Sequence, residues 1–283
     1  FTSMFRSVLI WFNISFDSFL ILSFFITACS NKNAIRDIDY DLEFEKGKTA
    51  LAKKKFIKAQ SHFNTVVIGA SHTELGDDAL FFLGEAHFYA KKEELLAIAE
   101  YDRLIRRMPF STYVERARYR ICEAYVRMSP KYYRDQTYSE KALEKLQEYI
   151  DDYPNSDNRI QAQEDILVLR EKLSKKAYNS GLLYMKMEEY SAAMIGFKKV
   201  VESYYDTDFV ELAHMKTIAC HIYKNEFEEA REYYDLKRNH IEKIKMDDLV
   251  DAWFVQKRVL DRLELEWKLV FLVEHLTRHI LDI

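Results

Sequence analysis

Along this chain, aromatic and small apolar residues return at helical rather than strand spacing. An aromatic, an alanine three residues on and an aromatic four further recur as Phe56-Ala59-Phe63, Tyr190-Ala193-Phe197 and Phe227-Ala230-Tyr234. Glu94-Ala97-Tyr101 keeps the pattern without its first aromatic, and Ser139-Ala142-Leu146 keeps it without either. Spacings of three and four place these residues on one face of an α-helix, with the alanine where a neighbouring helix must come close. Five copies of one helix face predict helices that stack on one another.

A second helix is predicted ahead of each. Gly47, Gly84 and Gly181 stand nine or ten residues before the first position of three copies. Glycine inside a helix costs about 1 kcal/mol relative to alanine, so its return at one offset predicts a tight crossing between the two helices of a pair. Matching Tyr119-Cys122-Tyr125 to Tyr178-Gly181-Tyr184 puts Cys122 in that slot in the third copy, where a small buried thiol fits. Eight residues past the last position come Pro109 and Pro154, which stop their helices, with Ser71 at the equivalent place in the first copy. The copies lie 37 to 51 residues apart, so the loops carry insertions. The largest flank the third copy: Ser129 to Ser139 within it, and a long helix from about Asn158 to Lys176 after it.

Small residue, aromatic, Ala, aromatic and Pro at these offsets resemble the tetratricopeptide repeat, a helix-turn-helix unit of about 34 residues. The expected fold is all-α, a right-handed superhelix of about five such repeats over residues 39–246, with a C-terminal helical segment at 247–283. Composition points the same way: 6 Gly and 3 Pro in 283 residues give too little turn chemistry for an all-β sandwich or barrel. The net charge of −4 is small, and Lys53-Lys54-Lys55 is the one basic block that stands out, so neither nucleic acid nor a generic polyanion is an expected partner.

The N-terminus predicts a compartment. After Arg6 an apolar stretch runs from Val8 to Ile26, broken by Asn13, Ser15, Asp17 and Ser18, and its strongest piece is Phe19 to Ile26. That piece is too short for the ~30 Å of a bilayer core, and Asp17 would be costly at depth. A basic residue, a short apolar region and small residues read as a cleaved export signal over residues 1–28. The chain starts on Phe1, which leaves Met4 as an alternative start. Ile26-Thr27-Ala28-Cys29 resembles a bacterial lipobox, in which the cysteine sulfur is diacylated before cleavage. The resemblance implies that Cys29 becomes the first mature residue, that Ser30 favours the outer membrane, and that residues 29–38 form a polar tether. Several acyl chains, at about 0.8 kcal/mol per buried methylene, hold a domain on a membrane without a spanning helix. The alternatives are an uncleaved membrane anchor or a chance cysteine after an apolar run.

An acylated cysteine and five repeats, with Ser129-Pro130-Lys131-Tyr132-Tyr133-Arg134-Asp135-Gln136-Thr137-Tyr138 leading into Lys141-Ala142-Leu143 and then Tyr153-Pro154-Asn155-Ser156, resemble the BamD family. Leu169-Arg170-Glu171-Lys172-Leu173 and Tyr190-Ser191-Ala192-Ala193 match it too, and the form is that of Bacteroidota-like bacteria. These are the lipoprotein subunits of the outer-membrane β-barrel assembly (BAM) machinery. The resemblance covers about residues 29–240 and implies a non-enzymatic scaffold on the periplasmic face of the outer membrane, with no cofactor beyond the lipid on Cys29. It further implies that the C-terminal repeats dock the periplasmic domains of the barrel-forming subunit, while the N-terminal repeats receive the C-terminal strand of unfolded outer-membrane proteins. In such repeats the first helix of each pair lines the groove. Counting from Gly47, Gly84 and Cys122, the groove positions are Phe44, Lys48 and Leu51, then Phe81, Glu85 and Phe88, then Tyr119, Glu123 and Val126. The rival reading, a lipid-anchored pilotin or coordinator of peptidoglycan synthesis, shares anchor and repeats but lacks the Ser129–Tyr138 insertion.

From Asp247 the resemblance fades, and Trp267-Lys268-Leu269-Val270-Phe271-Leu272-Val273 is apolar all round where a solenoid end should be capped by a polar face. His275 and His279 lie four apart, as two helical zinc ligands would, but lack the glutamate of HExxH, so solvated histidines are expected. No phosphate-binding glycine loop and no nucleophile elbow occurs, and the Glu/Lys pairs read as solvated helix faces.

Overall fold

A computed structural model describes residues 38–70 and 73–237. Ser71, the apolar run at 267–273, His275, His279 and Cys29 lie outside the described residues, as do the segments 1–28 and 247–283. Among the described residues there are ten α-helices and no strand. They are α1 (Tyr40–Ala52), α2 (Phe56–Gly69), α3 (Glu74–Tyr89), α4 (Glu94–Arg107), α5 (Val114–Met128), α6 (Thr137–Asp152), α7 (Arg159–Lys186), α8 (Tyr190–Ser203), α9 (Phe209–Tyr223) and α10 (Phe227–Lys237). Each packs against the next, and first helices of neighbouring pairs also touch, α1 with α3 and α7 with α9. That near-neighbour pattern is a helical-repeat solenoid.

The motif residues form its spine. Ala59, Ala97, Ala142, Ala193 and Ala230 are all 0% exposed, and Phe63, Tyr101, Leu146, Phe197 and Tyr234 are buried beside them. The glycines are explained by those rings. A Cβ on Gly47 would sit 2.6 Å from Phe63 Cε1, one on Gly84 2.5 Å from Tyr101 Cε1, and one on Gly181 2.5 Å from Phe197 Cε1. In the third pair the ring is replaced by Leu146, and the space goes to Cys122, whose thiol donates to the Lys145 carbonyl at 3.2 Å.

The turns inside the pairs share one device. Lys54, Lys92, Glu188 and Asn225 have positive φ, each two residues before the next helix begins. In three of them a Schellman closure satisfies the helix end: Lys55 N–H bonds the Ala50 carbonyl, Glu189 N–H the Tyr184 carbonyl and Glu226 N–H the His221 carbonyl. The third pair has the insertion instead.

The helix expected to stop near Lys176 does not stop there. It runs unbroken for 28 residues from Arg159 to Lys186, so the linking helix and the first helix of the fourth pair are one element, about 42 Å long. No proline falls within it, and Gly181 is held in place by its contact with Phe197.

Candidate functional site: an arginine ladder and a docked insertion

Helices α3 and α5 present a row of cations over aromatic rings. Glu85 on α3 is the organiser, with 6% of its side chain exposed. It accepts from Tyr101 Oη at 2.7 Å and from Arg120 at 2.7 Å (Nε to Oε1) and 3.3 Å (Nη2 to Oε2). Arg120 also donates to Glu123 at 2.6 Å and to the Tyr89 hydroxyl at 3.1 Å. Burial works against the Arg120 charge, but the Glu85 and Glu123 carboxylates outweigh it and hold the guanidinium pKa above its ordinary value. Burial and the Glu85 charge likewise push the Tyr101 phenol well up, so it stays a donor.

Flanking this clamp, Arg116 lies over the Phe81 ring at 4.9 Å, with its guanidinium 3.8 Å from Glu85 and 54% of its side chain exposed. Arg127 lies over Phe88 at 3.9 Å and donates to the Phe88 carbonyl at 2.8 Å. Tyr89 is 46% exposed beside them. Planar guanidinium groups stacked on rings and fixed by a carboxylate are pre-organised to take a further carboxylate bidentately.

Of the positions counted from the sequence, Phe44, Phe81, Phe88 and Tyr119 are buried: Phe44 packs on Phe63 and Phe82, Phe81 stacks on Tyr113, and Tyr119 tilts on Tyr149. These rings form the floor of the face. Lys48 is exposed above the Phe44 ring, and Leu51, Glu123 and Val126 are half-buried. Glu85 and Phe88 are brought together with the arginines. Sequence reasoning missed Arg116, Arg120, Arg127 and Tyr89. The signal was there: Arg116, Arg120, Glu123 and Arg127 follow one another at four, three and four residues, a single helical stripe offset by about one position from the stripe counted.

The insertion between α5 and α6 is built, not slack. Gln136, 4% exposed, shares its amide N–H groups among the carbonyls of Lys131, Tyr132 and Arg134 at 2.9, 3.3 and 3.0 Å. Ser139 Oγ donates to Gln136 Oε1 at 2.7 Å, which commits its only proton, so Ser129 Oγ donates to Ser139 at 2.6 Å and in turn accepts from Lys172 Nζ at 2.7 Å. Lys176 Nζ holds the Arg134 carbonyl at 2.9 Å, and Lys175 sits 4.9 Å over Tyr132. The relay explains why serine replaces the first motif aromatic in the third pair. Between this loop, α7 and α8 lies an open groove of ≈ 490 Å³, lined by Gln136, Glu140, Leu173, Tyr184, Ile195 and Lys199 among others.

Other chemistry is thin. Cys122 and Cys220 are buried free thiols, each pushed up to about 12 by burial. Among the described residues no group of three His, Cys, Asp or Glu is placed to hold a metal, and no helix is long and apolar enough to cross a membrane.

A solenoid of helix pairs bearing a fixed cation–aromatic face and a docked loop defines a helical-repeat protein. Residues 37–237 match the YfiO family, described as "Outer membrane lipoprotein", and the chain belongs to that family. It is 25% identical over 191 residues to the outer membrane protein assembly factor BamD of Caulobacter vibrioides, a match covering 68% of this chain and 62% of that relative's length. Among solved structures it is similar to a MamA protein (TM-score 0.31, 17% identity, 73% of this chain and 95% of the other) and to MamA of AMB-1 (0.32, 14%, 75% and 97%).

Proposed function

We propose that this chain is a non-enzymatic scaffold subunit of the outer-membrane protein assembly machinery, held on the periplasmic face of the outer membrane by lipid on Cys29. It binds the barrel-forming subunit through that protein's periplasmic domains and receives the C-terminal segments of unfolded outer-membrane proteins. Family membership and the likeness to an assembly factor support the class of protein. The observation that carries the substrate reading is the ladder on α5: Arg116 is exposed over Phe81, beside a Glu85–Arg120 clamp that fixes the face.

An extended segment ending in an aromatic residue would lay its ring against Tyr89 and its terminal carboxylate on Arg116. The docked insertion and the groove beside α7 and α8, with Tyr184 40% and Ile195 72% exposed, suit the larger folded partner. The test is a titration of the full chain with two peptides, one ending in a free aromatic carboxylate and one amidated. The free acid should bind at least tenfold more tightly, as one charge-assisted hydrogen bond more implies, and Arg116→Glu should abolish the difference. Equal binding of the two peptides contradicts the substrate reading.

A further inference from the structure

The turns within the first two pairs and the start of α2 carry six lysines that the groove does not use. Lys53, Lys54 and Lys55 join α1 to α2, Lys58 lies one turn into α2, and Lys91 and Lys92 join α3 to α4; all are exposed. Among the described residues, the lysines that form ion pairs are others: Lys46, Lys48, Lys145, Lys198 and Lys224. The two turns belong to one surface, because Gln60 Nε2 donates to Glu93 Oε2 at 2.7 Å, and His87 Nδ1 meets the same oxygen at 2.7 Å. Glu93 is thereby engaged.

Exposed apolar side chains stand among these cations. Ile57 is 78% exposed, and Leu95 and Leu96 are each 52% exposed. Ile57 and Leu95 occupy the same position in successive repeats, one residue past the start of the second helix. Lys54 and Lys92 hold φ of 55° and 66°, a conformation in which glycine or asparagine would be usual, so the outermost point of each turn has been given a charge instead. The corresponding turn of the fourth pair carries Glu188 and Glu189, and in that of the fifth pair Lys224 is ion-paired with Glu226 at 2.6 Å. Among the within-pair turns of the described residues, the lysines that stand outside ion pairs and beside exposed aliphatic side chains are those of the first two pairs, at the end of the solenoid nearer Cys29 in the sequence. Ten extended residues reach up to about 35 Å, and α1 is about 20 Å long, so a tether of this length is long enough to let Cys29 and this edge meet one membrane surface.

We propose that the edge formed by the α1–α2 and α3–α4 turns rests on an anionic phospholipid surface, with the lysines at the headgroups and Ile57, Leu95 and Leu96 at the headgroup–acyl boundary. Interleaved cations and isolated aliphatic groups at a lipid-tethered end fit a bilayer surface, where apolar area and charge act together. The proposal rests on the reading of Cys29 as the acylated residue. It goes beyond that reading by fixing which face of the solenoid lies against the lipid.

The test uses the full acylated chain in vesicles, with an environment-sensitive fluorophore on Ile57→Cys; Cys122 and Cys220 are buried, so labelling goes to the introduced thiol. Flotation with neutral phosphatidylcholine vesicles reports the anchor separately. In vesicles containing phosphatidylglycerol, brominated lipid should quench the label at position 57 and leave one at Leu236→Cys unquenched. Each lysine near such a surface is worth roughly a fivefold change in partition. Combining Lys53→Gln, Lys55→Gln and Lys92→Gln should therefore lower the docked-to-undocked ratio about a hundredfold. Flotation without charge-dependent quenching overturns the proposal, as does a signal that follows protein concentration instead of lipid charge, which would assign the edge to a second copy. A chain that fails to float overturns the anchor, and this proposal with it.

Discussion

At Gly181 a single added methyl group tests the packing of a whole pair. In an exposed helix, glycine to alanine is worth about 1 kcal/mol of stabilisation. Here the new Cβ would meet the Phe197 ring at 2.5 Å, so Gly181→Ala should destabilise by about 1–3 kcal/mol, the usual cost of overpacking. Adding Phe197→Leu should recover much of the loss, because Leu146 and Cys122 already make that exchange in the third pair. Urea denaturation of the wild type and the variants gives the signs. The glycine register was legible in the sequence since a residue avoided by helices kept returning at one offset. The arginine ladder was not, because counting from glycine and cysteine fixes the face that packs inward. The cation stripe lies one position round, where Arg116 and Arg127 look like ordinary solvated charges.

Among the elements, the insertion and α7 hold each other. Gln136→Ala removes the buried donor shared by three loop carbonyls and leaves Ser139 without its acceptor. It should cost about 1–3 kcal/mol and raise amide exchange across residues 131–137 more than in α6. Further along α7, Arg170 grips Asp206 in the α8–α9 turn, with Nε 2.8 Å from both carboxylate oxygens, and also holds the Ser203 carbonyl at 3.0 Å.

The hydrogen bond from Arg170 keeps the Asp206 pKa below its ordinary 3.8. A depressed carboxylate contributes stability that is full above its unfolded value and is lost as pH falls through the folded one. Arg170→Gln should therefore destabilise by on the order of 1 kcal/mol near neutral pH, and the gap to wild type should narrow as pH falls below about 4, leaving the part due to the Ser203 carbonyl. A gap of unchanged size in acid would contradict this linkage. Helix existence and order were legible from periodicity, and the insertion from its length. The fusion of the linking helix with the fourth pair was not, since no residue between Lys176 and Gly181 signals either a stop or its absence.

For the molecule as a whole, net charge conceals what position reveals. A total of −4 argues against a polyanion partner, yet basic within-pair turns gather at the N-terminal end of the solenoid, while that of the fourth pair is acidic and that of the fifth holds an ion pair. A linear sequence gives no sign that Lys53–Lys55 and Lys91–Lys92 share an edge until Gln60 is seen to reach Glu93. If Cys29 carries the anchor, Cys29→Ala should release the chain from the membrane fraction while its helical circular dichroism stays unchanged. Retention in membranes would mean that the N-terminal segment spans instead.

The central claim, that this solenoid is a scaffold for outer-membrane protein assembly, is tested most directly by affinity purification of the full chain from a detergent-solubilised envelope extract. The account predicts that a large outer-membrane barrel protein bearing periplasmic domains co-elutes in constant proportion. Elution of the chain alone, or with a secretin or a peptidoglycan synthase in its place, would contradict it.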